Sequence, residues 1–201
     1  MPELALALYV VYFVLAFGLR SLIQLRRTGS TGFRGLSGRP GSAEWVGGVL
    51  FAVAMVLGVA APVLDLAGVV DPIESLEGGG AELTGAVLAV GGIALTLVAQ
   101  MAMGDSWRIG VDESEQTELV THGPFALVRN PIFAAMIPTA AGLALLVPNW
   151  VALMALLALV AALEIQVRLV EEPYLLRAQG NRYAEYAARV GRFVPGMGRL
   201  G

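Results

Sequence analysis

Residues 132–167 read IFAAMIPTAAGLALLV, then Pro148-Asn149, then WVALMALLALVAALEIQV. The first run carries no charge and the second carries one, Glu164. Pro-Asn marks a turn between two helical runs. The first run, Ile132 to Val147, is short for a membrane span and holds Pro138, whereas Trp150 to Val167 is closer to full length. The pair is expected to form a tight helical hairpin whose tip need not reach the far surface.

Working outward, three further runs approach the roughly 20 apolar residues that a spanning helix needs. They are Leu4 to Leu25, Trp45 to Leu66 and Leu83 to Met103. The first has one charge, Arg20, near its end, and the third has Gln100 as its one strongly polar residue. No basic residue precedes the first run and no small-residue cleavage site follows it, so it is expected to be a retained helix and not a signal peptide. Composition agrees: 57% of the 201 residues are hydrophobic and 14% charged, too few charges to cover a soluble surface. The absence of cysteine excludes a disulfide scaffold. The net charge of −3 names no nucleic-acid partner. The expected fold is all-α: a polytopic membrane protein of about five transmembrane helices, including the C-terminal hairpin.

All 13 basic residues are arginine, a composition suggesting GC-rich codons. Arg26, Arg27, Arg34 and Arg39 follow the first run; Arg108 and Arg129 lie between the third and fourth; Arg168 to Arg199 follow the fifth. The loop after the second run holds Asp71, Glu74, Glu77 and Glu82 and no basic residue. By the positive-inside rule, loops one and three and the C-terminus face the cytoplasm. The expected location is a bacterial inner membrane, with any active site on its cytoplasmic side.

That side holds the unusual sequence. Loop one, Thr28 to Gly41, is glycine-rich, and suits either a linker or a lid. Neither phosphate-binding glycine motif is present. Loop three ends Leu119-Val-Thr-His-Gly-Pro-Phe-Ala-Leu-Val-Arg-Asn-Pro131. Asn130 before Pro131 reads as a helix cap with proline at the first helical position. His122 is the single histidine, and with no cysteine a transition-metal centre is not expected. Glu164, Arg168 and Glu171 share one helix face, suiting either an interfacial ion-pair ladder or a functional cluster. After Pro173, Tyr174 to Val190 is expected to be one amphipathic helix carrying Tyr183 and Tyr186.

Leu119 to Phe133, followed by the hairpin and then Arg168, Glu171, Glu172, Leu175, Gly180, Tyr183 and Tyr186, resembles the isoprenylcysteine carboxyl methyltransferase family and its phospholipid-methyltransferase relatives. Their signature is RHPxYxG followed by paired glutamates. The resemblance covers residues 104 to 195 or so, about half the chain. It implies a division into an N-terminal membrane region, 1–103, and a catalytic core, 104–201, whose C-terminal helices cap a pocket for S-adenosylmethionine. The methyl acceptor is expected to be lipophilic and to enter from the bilayer.

Carried over by position, Thr117, Glu118, Leu119, Val120, His122, Gly123, Phe125, Arg129, Asn130, Pro131, Phe133, Glu171, Glu172, Tyr183 and Tyr186 would surround the cofactor. Arg168, Glu171 and Glu172 would act at the reacting centre, and Trp107, Arg108 and Arg168 would meet the acceptor. Asn130 stands where the signature has histidine, and Phe125 and Phe133 where it has tyrosine. Asparagine donates and accepts hydrogen bonds but does not take a proton near neutral pH. Two alternatives remain: a membrane sterol-type reductase using NADPH, and a non-catalytic protein that retains the fold.

Overall fold

A computed structural model describes residues 1–32, 35, 37–107 and 119–200. Its elements are α1 (Pro2–Thr28), α2 (Ala43–Leu66), α3 (Gly79–Met103), α4 (Pro131–Leu146), α5 (Trp150–Gln179) and α6 (Asn181–Arg189). Single 3-10 turns lie at Glu74–Leu76, Gly104–Ser106 and Gly123–Ala126. Among the described residues, α1, α2, α3 and α5 are long and apolar enough to cross a membrane, and α4 is a shorter apolar helix.

The helix ends follow local chemistry. The Ser42 hydroxyl accepts from the Trp45 amide and starts α2. Gly29, at φ +77°, closes α1 beyond Arg26 and Arg27, whose charges suit the negative end of the helix dipole.

Large apolar side chains such as Val56, Leu83, Leu95 and Leu157 are exposed, while Ala16, Ala54, Ala61, Ala89, Ala99 and Ala162 are buried. This inverts the soluble pattern. In lipid, apolar area gains nothing by turning inward, and small residues let backbones approach. The closest approach is between α3 and α4. A Cβ on Gly92 would lie 2.2 Å from Thr139 Oγ1 and 2.9 Å from the Ala135 carbonyl oxygen. A Cβ on Gly142 would lie 2.4 Å from the Ala89 nitrogen. Packing therefore runs across residues 103 and 104: α3 lies on α4 and α2 lies on α5.

The hairpin tip reaches the opposite end of the bundle, although α4 has 16 residues and spans about 24 Å. The loop after α2 folds onto the tip, where the Ile73 amide donates to the Pro148 carbonyl at 2.6 Å. Asn149 is fully buried. Its Oδ1 accepts from the Ala152 amide at 3.0 Å and its Nδ2 donates to the Ala61 carbonyl at 3.2 Å.

The C-terminal region differs from the expected single helix over Tyr174 to Val190. Pro173 does not interrupt α5, because a widened π turn, Gln166–Glu171, precedes it and absorbs the missing amide and the ring's bulk. The break falls at Gly180, at φ +53°, which turns the chain into α6. At 30 residues α5 is longer than the hydrocarbon core, so its last turns stand beyond it.

Gly92→Leu should destabilise the protein by at least about 3 kcal/mol, because backbone atoms of α4 cannot yield. Gly91→Leu, at an exposed position with nothing within 4 Å of its Cβ, should leave stability unchanged. Thermal unfolding of both variants in detergent checks this pair.

Candidate functional site

The end of loop three, the end of α5 and the C-terminal segment converge. The 3-10 turn Gly123–Ala126 begins on Gly123 at φ +58° and buries Phe125. Val128 then pairs with Gly191 in a parallel bridge. The Arg129 amide donates to the Gly191 carbonyl at 2.8 Å and the Asn130 amide to the Arg192 carbonyl at 3.1 Å. Gly191 cannot carry a side chain, since a Cβ there would lie 2.1 Å from the Val194 carbonyl oxygen.

The centre of this region is a buried charge cluster. Arg129 Nη2 donates to Glu172 Oε1 and to the Gly198 carbonyl, and Nη1 donates to the Ala187 and Val190 carbonyls. Arg192 grips the same carboxylate with two bonds, Nε to Oε1 at 2.9 Å and Nη2 to Oε2 at 2.8 Å. Two guanidinium groups thus share one carboxylate, leaving one net positive charge. The Glu172 carboxylate holds the Arg192 guanidinium above its ordinary pKa. Arg129 Nε is buried without a hydrogen-bond partner.

Tyr183 and Tyr186 are buried in an apolar cluster with Ala187, against Leu119, Leu175, Val190 and Leu200. The Tyr186 hydroxyl donates to the Phe125 carbonyl at 2.6 Å. Burial pushes the Tyr186 phenol up to about 12 and raises that of Tyr183 further. Both therefore stay neutral across the physiological range.

Several expected site residues meet here: Leu119, Phe125, Arg129, Asn130, Glu172, Tyr183 and Tyr186. Their polar atoms bond mainly to one another and to the backbone. Asn130 occupies the cap position of α4, and its carbonyl accepts from the Ala134 amide at 2.8 Å. Its side chain does not cap the helix; Nδ2 turns away and donates to the Arg192 carbonyl at 3.2 Å. Pro131 is buried at the start of α4, and Phe133 packs on the membrane core.

Val120 is half-buried, and His122 and Gly123 are exposed beside the cluster. Glu171 is half-buried, and its Oε1 accepts from Gln166 Nε2 at 3.3 Å. Arg168 stands apart: it pairs with Glu164 one turn earlier, its side chain 55% exposed. Trp107 is buried: the Arg20 guanidinium lies 4.6 Å from its ring centre, and Gly32 of loop one packs against its edge. Arg108, Thr117 and Glu118 fall outside the described residues. Sequence reasoning missed Arg192 and Gly191, which lie in an irregular segment where nothing local marks a partner 20 or more residues away.

The phospholipid methyltransferase family matches residues 81–182, half of the chain. The chain belongs to the phospholipid methyltransferase family. The match begins in α3, so it takes in the glycine-lined α3–α4 contact as well as loop three, the hairpin and the paired glutamates. The chain is also 29% identical over 114 residues to the nickel-cobalt-cadmium resistance protein NccN of Alcaligenes xylosoxydans xylosoxydans, covering 56% of this chain and 52% of that protein. It thus spans about half the length of this curated relative. Among the described residues, no group of three or more His, Asp or Glu side chains is arranged to hold a metal ion.

Glu172→Gln should cost about 3 kcal/mol or more, because it leaves two buried guanidinium groups facing a neutral amide. It should also release the C-terminal segment, read as faster tryptic cleavage after Arg192 and Arg199. Glu171→Gln should leave that cleavage rate unchanged.

Proposed function

We propose that this protein is an integral membrane methyltransferase that uses S-adenosylmethionine and methylates a lipophilic acceptor at the cytoplasmic side of a bacterial inner membrane. The observation that carries the reading is the family match over 81–182, whose two motif halves are the segments joined at the Arg129–Glu172 cluster.

The residues beside that cluster suit the cofactor. The exposed turn at His122 and Gly123 offers backbone amides and an imidazole. Glu171 supplies a carboxylate within reach of solvent, suited to an ammonium or to ribose hydroxyls. The unpartnered edge of Arg129 keeps the surroundings cationic, which suits a carboxylate. When bound, S-adenosylmethionine supplies an electrophilic methyl group on a sulfonium. The protein's part is then placement: a nucleophile held in line and close gains most of the available acceleration. The buried Arg129–Glu172–Arg192 cluster fixes the α4 start, the α5 end and the C-terminal segment as one rigid wall. The apolar cluster of Tyr183, Tyr186 and Leu200 keeps water from one side of the site, and a dry site favours the loss of charge on sulfur. Asn130 acts here as a hydrogen-bonding residue and not as a base. If the acceptor is an amine, Glu171 and His122 are the groups available to take its proton.

Calorimetry on the full chain in neutral detergent tests the cofactor. S-adenosylmethionine should bind, and NADPH should not; the reverse would favour a reductase. Asn130→His should retain methylation within about tenfold, roughly 1.4 kcal/mol of barrier. A gain of several orders of magnitude would mean that the wild type has lost a catalytic base. For topology, cysteines at Arg39 and Arg199 should resist an impermeant thiol reagent added outside, while one at Ser75 should react. The opposite labelling would invert the protein in the membrane.

A further inference from the structure

Part of the C-terminal segment is apolar and exposed. Beyond Gly191 the chain folds back in a tight turn. The Met197 amide donates to the Val194 carbonyl at 3.1 Å, and the Arg192 amide to the Met197 carbonyl at 2.8 Å. Gly196, at φ +77°, allows the reversal. Val194, Pro195, Gly196 and Met197 all lie on the surface, and Val194 and Met197 are at least half exposed. Leu127, next to the Val128–Gly191 bridge, is exposed as well. Turns in water favour Gly, Pro, Asn, Asp and Ser. Val194-Pro-Gly-Met197 has the glycine and the proline and none of the polar three.

The helices fix the depth of this turn. At the far end of the bundle, Leu145, Leu146 and Pro148 of the hairpin tip line a pocket with Asp65, Glu77 and Glu82, whose charges belong in water. From there α4 covers about 24 Å, about 6 Å less than a typical hydrocarbon core. The neighbouring α3 goes further. Gly92 of α3 faces Ala135 of α4. α4 begins just over one turn beyond Ala135, at Pro131, whereas α3 runs on to Met103. Its outer residues over that stretch, Val98 and Met101, are exposed apolar side chains, so lipid extends down to them. The stretch leading into α4 lies alongside: a Cβ on Gly123 would be 3.8 Å from the Ala102 Cβ. Residues 123–130 therefore occupy the depth of the last turns of α3. Gly191 and Arg192, bonded to Arg129 and Asn130, share that depth, and the turn folds back onto both.

The charges around the turn fit contact with lipid. Arg129 and Arg192 are turned inward on Glu172, and their side chains are largely buried. Arg168 is paired with Glu164. Arg199 is exposed, and its guanidinium passes beside Gly196. The length of its side chain lets that charge stay at the level of lipid phosphates while the turn lies deeper. An apolar tip with an arginine at its edge suits a membrane interface.

We infer that the turn Val194–Met197, together with Leu127, is embedded in the lipid leaflet on the side of the Arg129–Glu172 cluster, among the glycerol groups and the upper acyl chains. The apolar belt of the bundle then takes in part of the C-terminal segment. That segment is held from two sides, inward by Glu172 and outward by lipid. The embedding follows from the bundle's place in a membrane and is independent of the proposed chemistry.

The chain has no cysteine, so single cysteines in the full chain can each carry a bimane fluorophore. Leu127→Cys, Val194→Cys and Met197→Cys probe the patch. Val98→Cys serves as the lipid-facing reference, and Glu185→Cys, on the exposed face of α6, as the aqueous one. Each labelled protein is reconstituted in phosphatidylcholine vesicles, plain or brominated near the top of one acyl chain, with iodide added on both sides as the aqueous quencher. Brominated lipid should quench the labels at Leu127, Val194 and Met197 at least half as strongly as the label at Val98. Iodide alone should quench the label at Glu185. Quenching of the Val194 and Met197 labels by iodide and not by brominated lipid would overturn the inference and put the turn in water. Quenching by neither would overturn it too, and would mean that another protein surface covers the turn.

Discussion

One carboxylate, that of Glu172, stands at the point where the end of loop three, the end of α5 and the C-terminal segment meet. It sits between Arg129, which ends loop three, and Arg192, which belongs to the C-terminal segment. A single buried ion pair is weak evidence of net stability, because desolvation offsets the Coulomb gain. Here the arrangement is better explained by specificity. Three further donors of Arg129 take backbone carbonyls at the end of α6 and in the tail. The cluster thereby fixes where the tail lies, and the tail in turn receives Asn130 through the Arg192 carbonyl.

The membrane part obeys a different constraint. Lipid offers no hydrophobic gain for burial, so close helix packing comes from glycine and alanine and from polar side chains that bond across helices. The α3–α4 contact is built on Gly85, Gly92 and Gly142, and the α1–α3 seam on Gln100, Arg20 and Gln24. The two constraints meet at the start of α4. Its first turn is set from below by the tail and from the side by α3, so the family motif sits where both sets of contacts are fixed.

Much of this was legible in the sequence. The apolar runs, the Pro148-Asn149 turn and the arginine-rich segments follow from periodicity and composition; the structure keeps α4 at 16 residues and carries α5 past Val167 to Gln179. Gln100 and Arg20 stood out as polar residues in apolar runs, but their partners did not, because two of those partners are backbone carbonyls that carry no sequence signal. Asn130 was readable as a helix-start residue. Its side chain's turn toward Arg192 was not, since that depends on a tail more than 60 residues away. Glu172 was legible as a motif residue. That its carboxylate is held by two arginines could not be read, because Arg129 had an equally good reading as a cofactor ligand and Arg192 none.

The central claim is that the assembly at Arg129, Glu172 and Asn130 supports methyl transfer to a lipophile. It is tested most directly by incubating membranes containing the full chain with methyl-tritiated S-adenosylmethionine and a bacterial lipid extract, then counting label in the organic phase. The account predicts organic-soluble label that depends on the protein and falls with Glu172→Gln. Tight cofactor binding with no label above that of control membranes, across extracts of differing composition, would contradict it.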